Sequence, residues 1–94
     1  MAENAENSLF QAPPIGEQER MVEAILFATA EPVSVAELNA RMPHGADAVG
    51  ALVYLVKRYE GRGVQLVKIG DAWAFRTAPD LGFLMQHEIV ETRK

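Results

Sequence analysis

The chain has 94 residues, 49% of them hydrophobic, and a formal net charge of −4. This length predicts one small, marginally stable domain, to which burial against a partner would add stability. The absence of cysteine excludes a disulfide framework and a thiolate metal site, and the acidic balance works against DNA binding, whose affinity comes largely from Lys and Arg neutralising phosphates.

Residues 1–16 show no periodicity, and Pro13, Pro14 and Gly16 oppose a helix, so this stretch reads as a disordered leader with one isolated apolar pair, Leu9 and Phe10. It has neither the basic start nor the apolar core of a secretion signal. No apolar run approaches the roughly 20 residues that span a bilayer, so a cytoplasmic protein without a membrane partner is expected.

From residue 17 to 94 the pattern is that of a folded domain. Glu17–Thr29 is predicted to be a helix, with Met21, Val22, Ile25, Leu26 and Ala28 on one face and Phe27 off it. Glu17 and Glu19 sit in the first turn, where they complement the helix dipole. Glu31-Pro32 ends it, and Glu31–Val33 reads as a short extended segment. Ser34 and Glu37 form a capping-box pattern for a second, short helix reaching about Arg41, with Val33 and Leu38 at the staple positions. Pro43-His44-Gly45 forces a turn. A third helix is expected over about Ala46–Glu60, stopped by Gly61 and Gly63. Two β-rich runs, Val64–Ile69 and Ala72–Thr77, flank Gly70-Asp71, which marks a hairpin. Trp73 and Phe75 share one face of the second run, the core face. Asp80 is placed as N-cap of a last helix whose apolar residues are Leu81, Leu84, Met85 and Ile89.

This order predicts an α+β fold, mainly α: a winged helix-turn-helix with a two-stranded antiparallel wing. Such folds often bind DNA through the second helix of the motif. Here that helix opens with Ala46, Asp47, Ala48, Val49, Gly50, Ala51, Leu52 and Val53, whose one charge repels phosphate. The turn at the wing tip carries Asp71 instead of a cation. If DNA were nevertheless the target, Arg58, Arg62, Lys68 and Arg76 would form the phosphate-contacting strip, with Lys68 and Arg76 flanking each other across the hairpin.

No catalytic or metal constellation is present. His44 and His87 lie far apart, no carboxylate pair has an apolar neighbourhood, Ser34 is accounted for by capping, and the glycines do not form a phosphate loop. An enzyme is not expected, and no cofactor is implied. The third helix has more apolar surface than one core requires, with Val49, Leu52, Val53, Val56 and Tyr59 on one face and Ala48, Ala51, Leu52, Leu55 and Tyr59 on an overlapping one. Either its own domain wraps it, or one face meets another chain.

The runs EAILFATAEPVSVAEL and LVYLVKRYEGRGVQLVKIGDAWAFRTAPD carry a resemblance. Glu23-Ala24-Ile25-Leu26-Phe27-Ala28, Glu31-Pro32 before the capped helix, Tyr59 and Arg62-Gly63 before the first strand, and Arg76-Thr77 in the aromatic-rich second strand resemble the N-terminal domain of bacterial segregation and condensation protein B over about residues 22–94. The resemblance implies a dimeric, two-domain winged-helix protein. It would bind the kleisin subunit, segregation and condensation protein A, and through it an SMC ATPase on the nucleoid. The chain ends at Lys94, where that family continues into a second winged helix, so an isolated N-terminal domain is expected. Candidate interface residues are Glu23 and Phe27 on the first helix and Leu55 on the third. The alternative function is that of a DNA-binding transcriptional regulator.

Overall fold

In a computed structural model of the chain, residues 12–85 are described. Helix α1 spans Ile15–Ala28. Its start lies two residues before the expected Glu17, because Pro14 takes the N-cap position and its carbonyl accepts from the amides of Glu17 (2.9 Å) and Gln18 (3.0 Å). Proline before the first helical residue costs no hydrogen bond, so Pro14 starts the helix here instead of opposing it, and Gly16 lies within its first turn. Residues 1–11 of the expected leader lie outside the described residues. Thr29 closes α1, its hydroxyl donating to the Ile25 carbonyl at 2.7 Å.

Strand β1 is Val33–Ser34, followed directly by α2, Val35–Arg41. Ser34 caps α2 as expected, its hydroxyl accepting from the Glu37 amide at 3.1 Å. The Glu37 carboxylate turns instead to Arg41, at 3.0 Å. Gly45, with φ +86°, makes the turn toward α3, Ala48–Arg58. A side chain there would meet both the left-handed backbone and Ala12, 3.4 Å from where its Cβ would stand. Asp47 caps α3 and Gly61, at φ +76°, follows its end.

Strands β2, Val64–Ile69, and β3, Ala72–Thr77, form the hairpin, and β1 pairs with the other side of β3, giving the order β1-β3-β2. Register places Leu66 opposite Phe75, Lys68 opposite Trp73, and Val33 opposite Trp73, so these residues share one face. That face packs on the helices. Val22 and Leu26 of α1, Leu38 of α2, Ala51, Leu52 and Leu55 of α3, and Val33 and Leu66 of the sheet are buried together. Trp73 and Phe75 lean against this core half-buried, as their shared face predicts.

After β3 the chain departs from expectation. Ala78 donates to the Gly63 carbonyl at 2.8 Å and closes the base of the hairpin, and Pro79–Leu81 form a single 3₁₀ turn. Asp80 lies inside that turn and therefore cannot cap a helix. The residue in the cap position, Ala78, has no side-chain hydrogen bond to give. Gly82–Met85 are helical. Of the expected apolar face, Leu81 is half-buried beside Gly63, while Leu84 and Met85 are 47% and 42% exposed; Ile89 lies outside the described residues.

Candidate protein interaction surfaces

The start of α3 is fixed by side chains from both preceding helices. Gln18 of α1 is buried and does two jobs: its amide nitrogen donates to the Pro13 carbonyl at 2.6 Å, and its oxygen accepts from the Asp47 amide at 3.0 Å. Asn39 of α2 accepts from the Ala48 amide at 2.8 Å, and Asp47 itself accepts from Val49 at 3.1 Å. A helix leaves its first amides without internal partners, and these polar side chains supply them. They thereby set where α3 points.

The far end of α3 is tied to α1 by charge. Glu19, 5% exposed, receives the Arg58 guanidinium, which holds the Arg58 pKa above its ordinary value through the hydrogen bond and then the charge of Glu19. Glu19 thus serves as a buried counter-ion, beyond the dipole role read from its place in the first turn. Tyr59 donates its hydroxyl to Glu23, and that bond, together with burial, raises the phenol pKa. The Tyr59 ring lies 4.9 Å from Phe75, tilted by 53°, and the Arg62 guanidinium stands 5.9 Å from the Tyr59 ring centre. Glu23, Tyr59 and Phe75 therefore link α1, α3 and the sheet.

The three candidate interface residues separate. Phe27 is 83% exposed, so its aromatic ring is presented to solvent. Glu23 is half-buried beside it and engaged by Tyr59. Leu55, in contrast, is 2% exposed and lies in the core against α1. It has no surface left for another chain. On α3 the apolar residues that face out include Val53, 55% exposed, two positions away and on the other side of the helix, together with Val49 and Tyr54.

Two apolar hollows result. One of about 610 Å³ lies beside Phe27, between α1 and the hairpin, and is lined by Ala24, Leu26, Tyr59, Val64 and Phe75. The other, of about 620 Å³, runs along the outer face of α3, where Val49, Val53 and Val56 face Val35 and Trp73. Val49 and Val53 are half-exposed, so the domain does not wrap α3 completely. The apolar surplus read from the sequence is an open face.

The four basic candidates do not form one strip. Register puts Lys68 opposite Trp73 and Arg76 opposite Gln65, so the two cations occupy opposite faces of the hairpin and do not flank each other. Arg58 is committed to Glu19, and Arg62 donates to the Arg58 carbonyl at 3.1 Å. Among the described residues no three His, Asp or Glu side chains gather as a metal site, and no helix is long and apolar enough to cross a membrane.

A family model described as segregation and condensation complex subunit ScpB matches residues 20–94. Three solved structures share the fold. A conserved hypothetical protein from Chlorobium tepidum is 26% identical, with a TM-score of 0.67 over 77% of this chain and 48% of that one. An ScpB N-terminal domain, solved as a dimer complexed with an ScpA peptide, is 24% identical, with a TM-score of 0.68 over 78% of this chain and 95% of that one. ScpB from Mycobacterium tuberculosis is 18% identical, with a TM-score of 0.70 over 87% of this chain and 53% of that one. The last two likenesses establish the fold alone. The chain spans about half the length of the first and third of these proteins. None of the curated proteins compared matches it significantly.

Proposed function

The chain belongs to the family of segregation and condensation complex subunit ScpB, and from that premise we propose that it is a non-catalytic subunit of a condensin-like SMC–kleisin complex, acting in chromosome condensation and segregation in the cytoplasm, on the nucleoid. In this reading it plays the part of the N-terminal winged-helix domain. It pairs with a second copy of itself and associates with the kleisin ScpA, and through it with the SMC ATPase. The similar N-terminal domain, a dimer carrying an ScpA peptide, supports both partners.

The observation that carries the self-association is the combination of Phe27, 83% exposed, with an apolar hollow beside it. A two-fold dimer requires a patch complementary to itself. A knob next to a recess on one face meets that requirement, because the Phe27 ring of one copy fills the Val64–Phe75 recess of the other while its own recess receives the partner's ring. Glu23 lies at the margin, where its bond to Tyr59 holds the recess wall in place. Light scattering tests this directly. The chain should have twice its monomer mass of 10.3 kDa, and Phe27→Glu should return it to the monomer. A monomeric wild type at about 100 µM, far above the micromolar range in which a specific interface dissociates, would count against pairing by this domain.

Specific DNA binding is not favoured by the geometry. Lys68 and Arg76 are on opposite faces, and Arg58 is neutralised by Glu19.

A further inference from the structure

We propose that the apolar groove along the outer face of α3 is covered by the chain's own N-terminal segment, with Leu9 and Phe10 docked on Val49 and Val53 and Glu6 beside Lys57. Residues 1–11 lie outside the described residues. They contain one pair of large apolar side chains, Leu9-Phe10, which neither the domain core nor the proposed assembly uses. The inference goes beyond the proposed function and does not rest on it.

The fold fixes where this segment leaves the domain. Gln18 is buried and donates to the Pro13 carbonyl at 2.6 Å. Ala12 precedes that proline, which favours an extended backbone, and it packs against Gly45, 3.4 Å from where a Cβ there would stand. Gly45 makes the turn into α3, so the segment exits at the start of that helix, the end at which the groove opens with Val49. In an extended chain Phe10 and Leu9 lie about 7 and 10 Å from Ala12. With their own side chains added, they come level with Val49 and Val53, which are half-exposed and lack a cover within the described residues. Trp73 and Val35 wall the same end of the groove.

Charge sets the register. Residues 1–11 carry Glu3 and Glu6 and no Lys or Arg. Lys57 and Lys68 stand on the groove rim, and among the described residues neither belongs to an ion pair. Glu6 is about 13 Å from Phe10 in an extended chain, and Lys57 is about 12 Å from Val49 along α3. Phe10 at Val49 therefore brings Glu6 to Lys57. Glu60 and Asp71 share the rim, so this pairing positions the segment while apolar contact holds it. The short tether gives the pair an effective concentration on the order of millimolar at its own groove. Docked there, it shields an apolar stripe that would otherwise meet foreign surfaces. The groove and the Phe27 face share no lining residue, so the docked segment leaves the proposed dimer face open.

The test uses the full chain, with valine methyls and phenylalanine rings isotope-labelled for NMR. Nuclear Overhauser contacts are expected from the Phe10 ring to the Val49 and Val53 methyls, unchanged by a tenfold dilution. Trp73 is the one tryptophan and lines the groove, so Phe10→Ser should shift its emission to the red and increase its quenching by acrylamide. The light-scattering mass should stay that of the wild type. In a Val53→Glu background the pair is already displaced, and Phe10→Ser should then leave the emission unchanged; this non-additivity is the mark of direct contact. Glu6→Lys should weaken the contacts, and adding Lys57→Glu should restore them. Absence of the Phe10 contacts, or a Phe10→Ser variant with wild-type Trp73 emission, overturns the inference. Contacts that appear between labelled and unlabelled chains in a mixed sample give the groove to a second copy and overturn it as well. A monomeric chain that keeps the contacts overturns the proposed pairing and leaves this inference standing.

Discussion

Truncating Leu55 to alanine separates a core role from an interface role, and the structure supplies the size of the effect. Leu55 is 2% exposed and packs among Val22, Leu26 and Leu52. Removing a buried leucine side chain costs about 3–5 kcal/mol, the transfer term plus the cavity left behind. A domain of 94 residues has about 5–14 kcal/mol of total stability at 0.05–0.15 kcal/mol per residue. Leu55→Ala therefore consumes a large share of it, and at about 4–8 °C per kcal/mol the melting temperature should fall by at least 12 °C. The assay is denaturant unfolding followed by fluorescence of Trp73, the one tryptophan, which packs against the same core. Because the proposed dimerisation would add stability in a concentration-dependent way, the comparison should be made in the Phe27→Glu background, which is expected to be monomeric. Phe27→Ala is the matched control: the side chain is already 83% exposed, so protomer stability should change by less than about 0.5 kcal/mol while the dimer weakens. A Leu55→Ala variant that unfolds within about 0.5 kcal/mol of its parent would refute the packing argument, and loss of the dimer when Leu55→Ala is made in the wild-type chain, without loss of stability, would restore Leu55 as an interface residue.

Other outcomes follow from particular bonds. Asn39→Ala strips the Ala48 amide of its acceptor and should destabilise the domain by about 1–3 kcal/mol in the same unfolding assay, whereas Asn39→Asp, which keeps an acceptor oxygen beside that amide, should recover most of the loss. Tyr59→Phe removes the hydrogen bond to Glu23, at a cost of about 1 kcal/mol at neutral pH. Since the folded state raises the Tyr59 pKa above its unfolded value of about 10, the bond's contribution is complete below pH 10 and is lost as pH rises through the folded value; the alkaline limb of the stability curve should be steeper in the wild type than in Tyr59→Phe. Any retention of duplex DNA should lack sequence preference and vanish between about 50 and 200 mM salt; selective binding that survives physiological salt would reinstate the regulator reading.

Much of the fold was legible because local signals agreed with one another. The Ser34 cap, the Gly70-Asp71 turn and the alternation around Leu66 and Phe75 each have a local cause that tertiary contacts did not override. The surfaces were harder to read. Helix α3 is apolar around most of its circumference, so periodicity could not tell whether Leu55 or Val53 faced inward; the answer depends on where α1 lies. The Glu19–Arg58 pair joins residues 39 apart, and nothing near Glu19 distinguishes a buried glutamate from one complementing the helix dipole. Lys68 and Arg76 looked adjacent until the register was known, and an odd offset between strands sends two side chains to opposite faces. Phe27 was visible because an aromatic off an otherwise regular stripe has no place in the core that the stripe builds.

Gln18, Asn39 and Asp47 have a consequence beyond stability. A phosphate settles at a helix N-terminus because free amides point at it. Here the amides of Asp47, Ala48 and Val49 are each taken by a side-chain oxygen from within the domain. The end of α3 that a nucleic-acid backbone would seek is thus plugged from inside. Adding arginines to the outer face of α3 would raise its charge without freeing a single one of those donors. The start of α3 therefore lacks the anchoring amides that a phosphate would use, in addition to lacking a cationic strip on its outer surface.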